Sequence, residues 1–158
     1  RLANSGFIRK QDVVLDYGCG KGRVDFFLAY QTRAHCIGVE YDERIIAVAR
    51  ENQNTAVSAG RVEILLGNAE TFPVPQNVNR IFFFNPFSVE ILQKAMARIL
   101  ESYYETSREM LLFFYFPSTE YISYLMTVDE LSFYDEIDCS DLFEENKDRE
   151  KIVIFQLE

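Results

Sequence analysis

The sequence predicts an α/β fold: a three-layer arrangement in which a mostly parallel sheet lies between helices and one antiparallel hairpin closes its edge. Three observations carry this. Apolar runs at 13–17, 34–40, 61–66, 81–84 and 110–116 have the continuous character of strands buried in a parallel sheet. Helical patterns at 23–31, 42–59 and 88–104 alternate with them. The last two strand-like runs, 131–137 and 151–157, have no helix between them and should therefore pair antiparallel.

Composition sets bounds on this reading. A chain of 158 residues, 48% of them hydrophobic, can bury a sizeable core as one domain. A single domain over 1–158 is expected, with upstream residues left out, since the chain opens on Arg1 rather than Met. No apolar run approaches a membrane span and no signal segment is visible, so no membrane partner is expected. Cys19, Cys36 and Cys139 are far apart and odd in number, which indicates neither a disulfide framework nor a zinc cluster, and a reducing cytoplasm is the expected home. A net charge of −9 repels phosphate backbones and argues against strong non-specific nucleic-acid binding.

Residues 2–10 are too short to assign and could end a helix that precedes the sheet. Strand 13–17 then runs into Asp16-Tyr17-Gly18-Cys19-Gly20-Lys21-Gly22-Arg23. Three alternate glycines remove three Cβ atoms from one turn, so its backbone can take positive φ and approach a ligand closely. The helix opening at Arg23 aims its free amides at the same place. A dinucleotide fingerprint would need its third glycine where Arg23 stands, so that reading fits poorly. The run is D-x-G-x-G-x-G, and it resembles the first motif of the class I S-adenosylmethionine-dependent methyltransferases. The resemblance implies that Gly18, Cys19, Gly20 and Gly22 lie under the methionine part of that cofactor. It also implies that Asp16 orders the loop or reaches the amino group through water.

Strand 34–40 ends on Glu40, at the distance from the glycines where a carboxylate can accept hydrogen bonds from both ribose hydroxyls. Gly38-Val39-Glu40-Tyr41-Asp42 is similar to the family's second motif, which gives Glu40 the ribose and Tyr41 the adenine. A solvated strand end is the plainer alternative for Glu40. Asp42 reads as the N-cap of an amphipathic helix that runs to about residue 59 and stops at Gly60. After strand 61–66, Asn68 and Ala69 take the place at which the family holds the adenine. A polar turn is the alternative. Pro73 and Pro75 make the crossover that follows a loop.

Ile81-Phe82-Phe83-Phe84-Asn85-Pro86-Phe87-Ser88 is the richest stretch after the glycines. A polar residue, a proline and an aromatic stand at the carboxyl end of a central strand, where open α/β sheets keep their chemistry. The run looks like the N-P-P-[YF] motif of amino-group methyltransferases. That resemblance implies that the Asn85 side-chain oxygen and the Pro86 carbonyl accept from a target amine. The sequence departs from the pattern, with Phe87 where the second proline belongs and Ser88 where the aromatic belongs, so Phe87 would be a displaced stacking ring. Equally open is that Asn85 caps the helix at 88–104 with Pro86 at its first position.

Strand 110–116 ends at Pro117, a short helix or turn follows at 120–127, and the acidic connection Asp141, Glu144, Glu145, Asp148, Glu150, interspersed with Lys147 and Arg149, reads as a solvated loop. His35 is the only histidine and begins a buried strand, so a triad or metal site built on it is not expected. Element order over about 11–157 matches the family, which implies a Rossmann-like sheet of seven strands in the order 3-2-1-4-5-7-6. The resemblance thus implies methyl transfer from S-adenosylmethionine to an amine or other nucleophile on a small molecule, protein or nucleic acid. A domain of the same fold that binds the cofactor without transferring methyl is the alternative.

Overall fold

The structure, a computed structural model, describes residues 1–142, 144 and 148–158. Five parallel strands carry the framework: β1 (Val13–Tyr17), β2 (His35–Glu40), β3 (Val62–Leu66), β4 (Arg80–Phe83) and β5 (Met110–Tyr115). β6 (Leu131–Asp138) and β7 (Lys151–Leu157) form the hairpin, with β7 antiparallel to both β5 and β6. The seven-stranded sheet runs β3-β2-β1-β4-β5-β7-β6, so the expected Rossmann-like fold and strand order are the observed ones. The order in which the chain adds strands reverses at β1, with β2 on one side and β4 on the other, which leaves a crevice at the carboxyl ends of those parallel strands.

Strand residues alternate between two cores because successive side chains leave a strand on opposite faces. Val14 packs with Leu28 and Ala29 of α1 (Arg23–Thr32) and with Ile46 and Ala49 of α2 (Glu43–Gln53). Leu15 and Tyr17 face the other way, onto Leu92, Met96 and Ile99 of α3 (Val89–Glu105) and Tyr121 and Leu125 of α4 (Thr119–Leu125). On that second face an aromatic ladder crosses the sheet: Tyr17 stacks on Phe83 at 5.2 Å, and Phe83 on Phe114 at 4.5 Å. At the opposite end of β1, Asn79 closes the sheet by accepting from Val13 N (3.0 Å) and donating to Asp12 (2.9 Å).

Four local expectations change. Residues 2–10 hold only a 3₁₀ turn at Leu2–Asn4. α2 stops at Gln53, well before Gly60, because the Gln53 amide donates to the carbonyls of Ala59 and Val62 and folds the connection back under the helix. The cap of α3 is Ser88, whose hydroxyl accepts from Ile91 N, and not Asn85; Pro86 lies outside the helix. In the acidic connection Glu150 is buried and accepts from the Tyr115 hydroxyl at 2.8 Å, so it is not part of a solvated loop. Glu145 and Lys147 lie outside the described residues. Asp42 caps α2 as expected, accepting from Arg44 N at 2.9 Å. His35 makes an exposed contact with Glu63 (3.1 Å), a surface pair rather than a catalytic one.

Candidate functional site

The glycine turn is built by backbone conformation. Gly18, Gly20 and Gly22 all take positive φ, at 68°, 58° and 83°, where a side chain would be strained. The amides of Gly18 and Cys19 both donate to the Val39 carbonyl (2.8 and 3.0 Å), which clamps the turn onto β2. Around these glycines the neighbourhood differs. A Cβ on Gly18 would lie 2.7 Å from Cβ of Pro86, whereas a Cβ on Gly20 would meet nothing within 4 Å. The turn is therefore packed against the end of β4 on one side and open on the other.

Glu40 holds that open side. One carboxylate oxygen accepts from Gly20 N at 3.1 Å, and the other accepts from the amides of Tyr41 (2.9 Å) and Asp42 (3.0 Å). A carboxylate has about four acceptor positions, so these three bonds leave capacity for a further donor. Glu40 is thus, with the Val39 carbonyl, a group that orders the glycine loop. Asp16 is not: it leaves β1 on the Val14 face, toward α1, and among the described residues makes no hydrogen bond to the loop. Its neighbour there is Asp25, in the first turn of α1, which is fully buried with neither carboxylate oxygen bonded among the described residues. Burial raises the Asp16 carboxyl well above its ordinary value, and the Asp25 and Glu40 charges add to that; burial likewise raises Asp25.

Tyr41 is 75% exposed at the end of β2 and lines two adjoining hollows together with Asn68. One, of about 670 Å³, extends over Asp42, Arg44, Leu66 and Gly67. The other, of about 430 Å³, reaches Ala69, Pro86, Phe87 and Ile91. Asn68 spends its side-chain oxygen on its own turn, accepting from Glu70 N at 3.0 Å.

Past β4 the backbone is bent hard. Asn85 has φ 39° and Phe116, at the end of β5, has φ 51°. Non-glycine residues in this region cost on the order of 1–3 kcal/mol each and persist only where their surroundings hold them. Here the hold is mutual: the Asn85 Nδ2 donates to the Phe116 carbonyl. Arg149 donates to that carbonyl too (3.2 Å) and stacks its guanidinium 4.1 Å over the Phe116 ring. With Nδ2 committed, the Asn85 Oδ1 is left buried with no hydrogen-bond partner among the described residues. Phe87 lines the smaller hollow, but its ring also packs edge-on against Tyr17 and Phe83, and its carbonyl accepts from the Tyr121 hydroxyl. Burial pushes that hydroxyl up to about 12.

The structure therefore brings Asp16, Gly18, Cys19, Gly20, Gly22, Glu40, Tyr41, Asn68, Ala69, Asn85, Pro86 and Phe87 to one end of the sheet, joined at the Gly18–Pro86 contact. Residues not anticipated are Asp25, Phe116, Arg149 and Tyr121. Asp25 carried a signal, because it lies three and four residues before Leu28 and Ala29 and so shares their buried helix face.

A strand-glycine turn-helix crevice, an acidic residue ending the next strand and a seven-stranded sheet in this order define a methyltransferase fold. Residues 8–147 match the model of the methyltransferase domain family, and the chain belongs to that family. No curated protein matches the chain in sequence. Among solved structures it is similar to a TehB-like methyltransferase from Corynebacterium glutamicum (16% identity, TM-score 0.68, 99% of this chain and 86% of that one). It is similar also to an RNA methyltransferase from Salinibacter ruber solved with S-adenosyl-L-homocysteine (17%, 0.66, 95% and 82%). A third is the glycopeptide N-methyltransferase MtfA complexed with sinefungin (10%, 0.71, 92% and 80%). Identities this low speak for the fold alone.

Proposed function

We propose that the chain is an S-adenosylmethionine-dependent methyltransferase whose acceptor is a nucleophile, an amine in first place, presented at Asn85. The observation that carries this is the buried Asn85 Oδ1, without a partner among the described residues and held in one orientation by the bond from its own Nδ2 to Phe116. A buried acceptor without a donor costs about 1–3 kcal/mol, and an incoming N–H would recover it.

The residues fit the cofactor. The space beside Gly20 accepts a ligand against bare backbone, and Glu40 retains acceptor capacity for ribose hydroxyls. Gly18, Cys19, Gly20 and Gly22, with Asp16 behind them, would hold the methionine part; Tyr41, Asn68 and Ala69 would flank the adenine. When bound, the cofactor supplies an electrophilic methyl on a positively charged sulfur. Asn85 Oδ1 and the Pro86 carbonyl would then orient the acceptor, and orientation is the contribution asked of the protein. Three free, buried thiols agree with a reducing cytoplasm, and no helix among the described residues is long and apolar enough to cross a membrane.

A second reading, cofactor binding without methyl transfer, draws support from Phe87 and Ser88. Phe87 is partly absorbed into the aromatic ladder and Ser88 caps α3, so neither position of this stretch offers a free ring to clamp the acceptor. Calorimetry with S-adenosylmethionine, its demethylated product and NAD should give heat for the first two only; preference for NAD overturns the proposal. Labelled methyl followed into a metabolite extract separates the two readings, since the second yields no labelled product.

A further inference from the structure

Asp25 has no part in the site as built so far, yet it is the most deeply buried charge-bearing group near it. Its carboxylate touches the site from behind: a Cβ on Gly38 would lie 2.9 Å from Asp25 Oδ2 and 2.8 Å from Cys19 Sγ. Among the described residues neither Asp25 oxygen has a hydrogen-bond partner, and Asp16 pairs with Gly38 across β1 and β2, which sets its carboxyl beside the Asp25 oxygen that overlies Gly38. Two buried carboxyls in contact satisfy one another only when a single proton is shared between them.

Other ionisable groups border this pair. Glu40 of β2 adds a third negative charge, and the thiols of Cys19 and Cys36 are held neutral by burial and by the two aspartates. Arg61 acts on the Cys36 side, but its guanidinium is engaged with the Ala29 carbonyl (3.2 and 3.1 Å). Lys21 and Arg23 of the turn are exposed. Among the described residues, Asp16, Asp25 and Glu40 form no ion pair. Negative charge is thus concentrated under the glycine loop with no cation of the protein to answer it.

We propose that Asp25, acting through Asp16, makes this site select for positive charge: the pair surrenders its shared proton to solvent when a cationic cofactor arrives, and keeps it when the neutral thioether product binds. The inference rests on the cofactor reading above. S-adenosylmethionine and its product share the same amino and carboxylate groups and differ in the sulfonium charge, so the difference between them isolates the effect. A cation near the pair favours its ionised form, so binding releases protons and cofactor affinity gains on product affinity as pH rises. The limit, for one whole proton, is about tenfold per pH unit.

Titration calorimetry of the full chain near neutral pH, in two buffers of different ionisation enthalpy, counts protons released per ligand. More release is expected with S-adenosylmethionine than with S-adenosylhomocysteine, and the difference should vanish in Asp25→Asn. Equal release for the two ligands in the unmodified protein overturns the proposal without any variant, and so does an unchanged difference in Asp25→Asn. If neither ligand binds, the cofactor reading falls and this one with it. Melting of the ligand-free protein gives an independent reading. Both carboxyls are raised on folding, so the folded state holds more protons than the unfolded one, and stability present below the ordinary carboxyl range is lost as pH rises through the folded values. Asp25→Asn should flatten that decline; an unaltered slope shows that the pair does not share a proton.

Discussion

The two halves of the site are made in different ways. Around β1, α1 and β2 the geometry is local: glycines supply the conformations, and Glu40, one strand over, ties the turn down at Gly20 N while its other oxygen holds the amides of Tyr41 and Asp42. At the ends of β4 and β5 the geometry is borrowed. Asn85 and Phe116 keep unfavourable backbone angles because each is bound to the other and because Arg149, from the connection between β6 and β7, holds the Phe116 carbonyl and ring. The first half would survive as a pattern in many sequences, while the second exists only when three distant segments meet. On the proposed function, the first kind would bind the cofactor and the second would set the acceptor.

Breaking the borrowed half should have the largest effect. Removal of the Asn85 side chain is expected to lower turnover by about 10²-fold, the scale of a lost positioning contact, with cofactor affinity nearly unchanged. Glycine is the better replacement than alanine, since it takes φ 39° without strain and isolates the loss of Oδ1 and Nδ2. Single-turnover methyl transfer beside cofactor titration measures both, and a parallel loss of affinity would merge the two halves into one. Next in size, Glu40→Ala should weaken cofactor binding by about 1.5–3 kcal/mol, the range for hydrogen bonds to a charged group. Calorimetry decides it: unchanged affinity would leave Glu40 as a loop tether and nothing more.

The halves touch at Gly18 and Pro86, and two alanine substitutions probe the joint. Both Gly18→Ala and Gly20→Ala carry about 1–2 kcal/mol for a side chain in the left-handed region. Gly18→Ala must also displace Pro86, because its Cβ would sit 2.7 Å from the proline ring, so it should melt lower than Gly20→Ala. Gly20→Ala has room in the protein and should instead lose cofactor binding. Equal melting of the two would mean that the contact with Pro86 yields without cost.

What could be read from the sequence follows the same division. Three alternate glycines, a carboxylate closing the second strand and a helix-free pair of terminal strands are short-range patterns, and the strand order and the glycine turn tied to β2 came with them. Asn85 and Ser88 are both good cap residues three positions apart, and the choice between them is made by Phe116, 31 residues from Asn85. The end of α2 is decided by where the Gln53 amide finds its carbonyls, not by Gly60. Glu150 looks solvated amid its charged neighbours until the Tyr115 hydroxyl is placed over it. Asp25 was legible in principle from its helix face, but its consequence depends on Asp16 pointing to the same side of the sheet.

The smallest expected effect separates capping from chemistry in the stretch after β4. Ser88 is the residue whose hydroxyl satisfies Ile91 N at the start of α3, so Ser88→Ala should cost about 1 kcal/mol of stability. In a chain of this size that is a fall of about 2–4 °C in Tm. Ser88 makes no bond to Asn85 or Phe116 among the described residues, so methyl transfer per folded molecule should stay normal. Loss of the Asn85 side chain should show the reverse balance, with turnover falling far more than any drop in melting temperature can explain. Because the two residues flank Pro86 and Phe87, the pair of measurements tests whether α3 positions the acceptor half or merely follows it. If Ser88→Ala lowers turnover as far as loss of Asn85 does, the helix start is part of the catalytic geometry, and the assignment of that geometry to the Asn85–Phe116–Arg149 contacts fails.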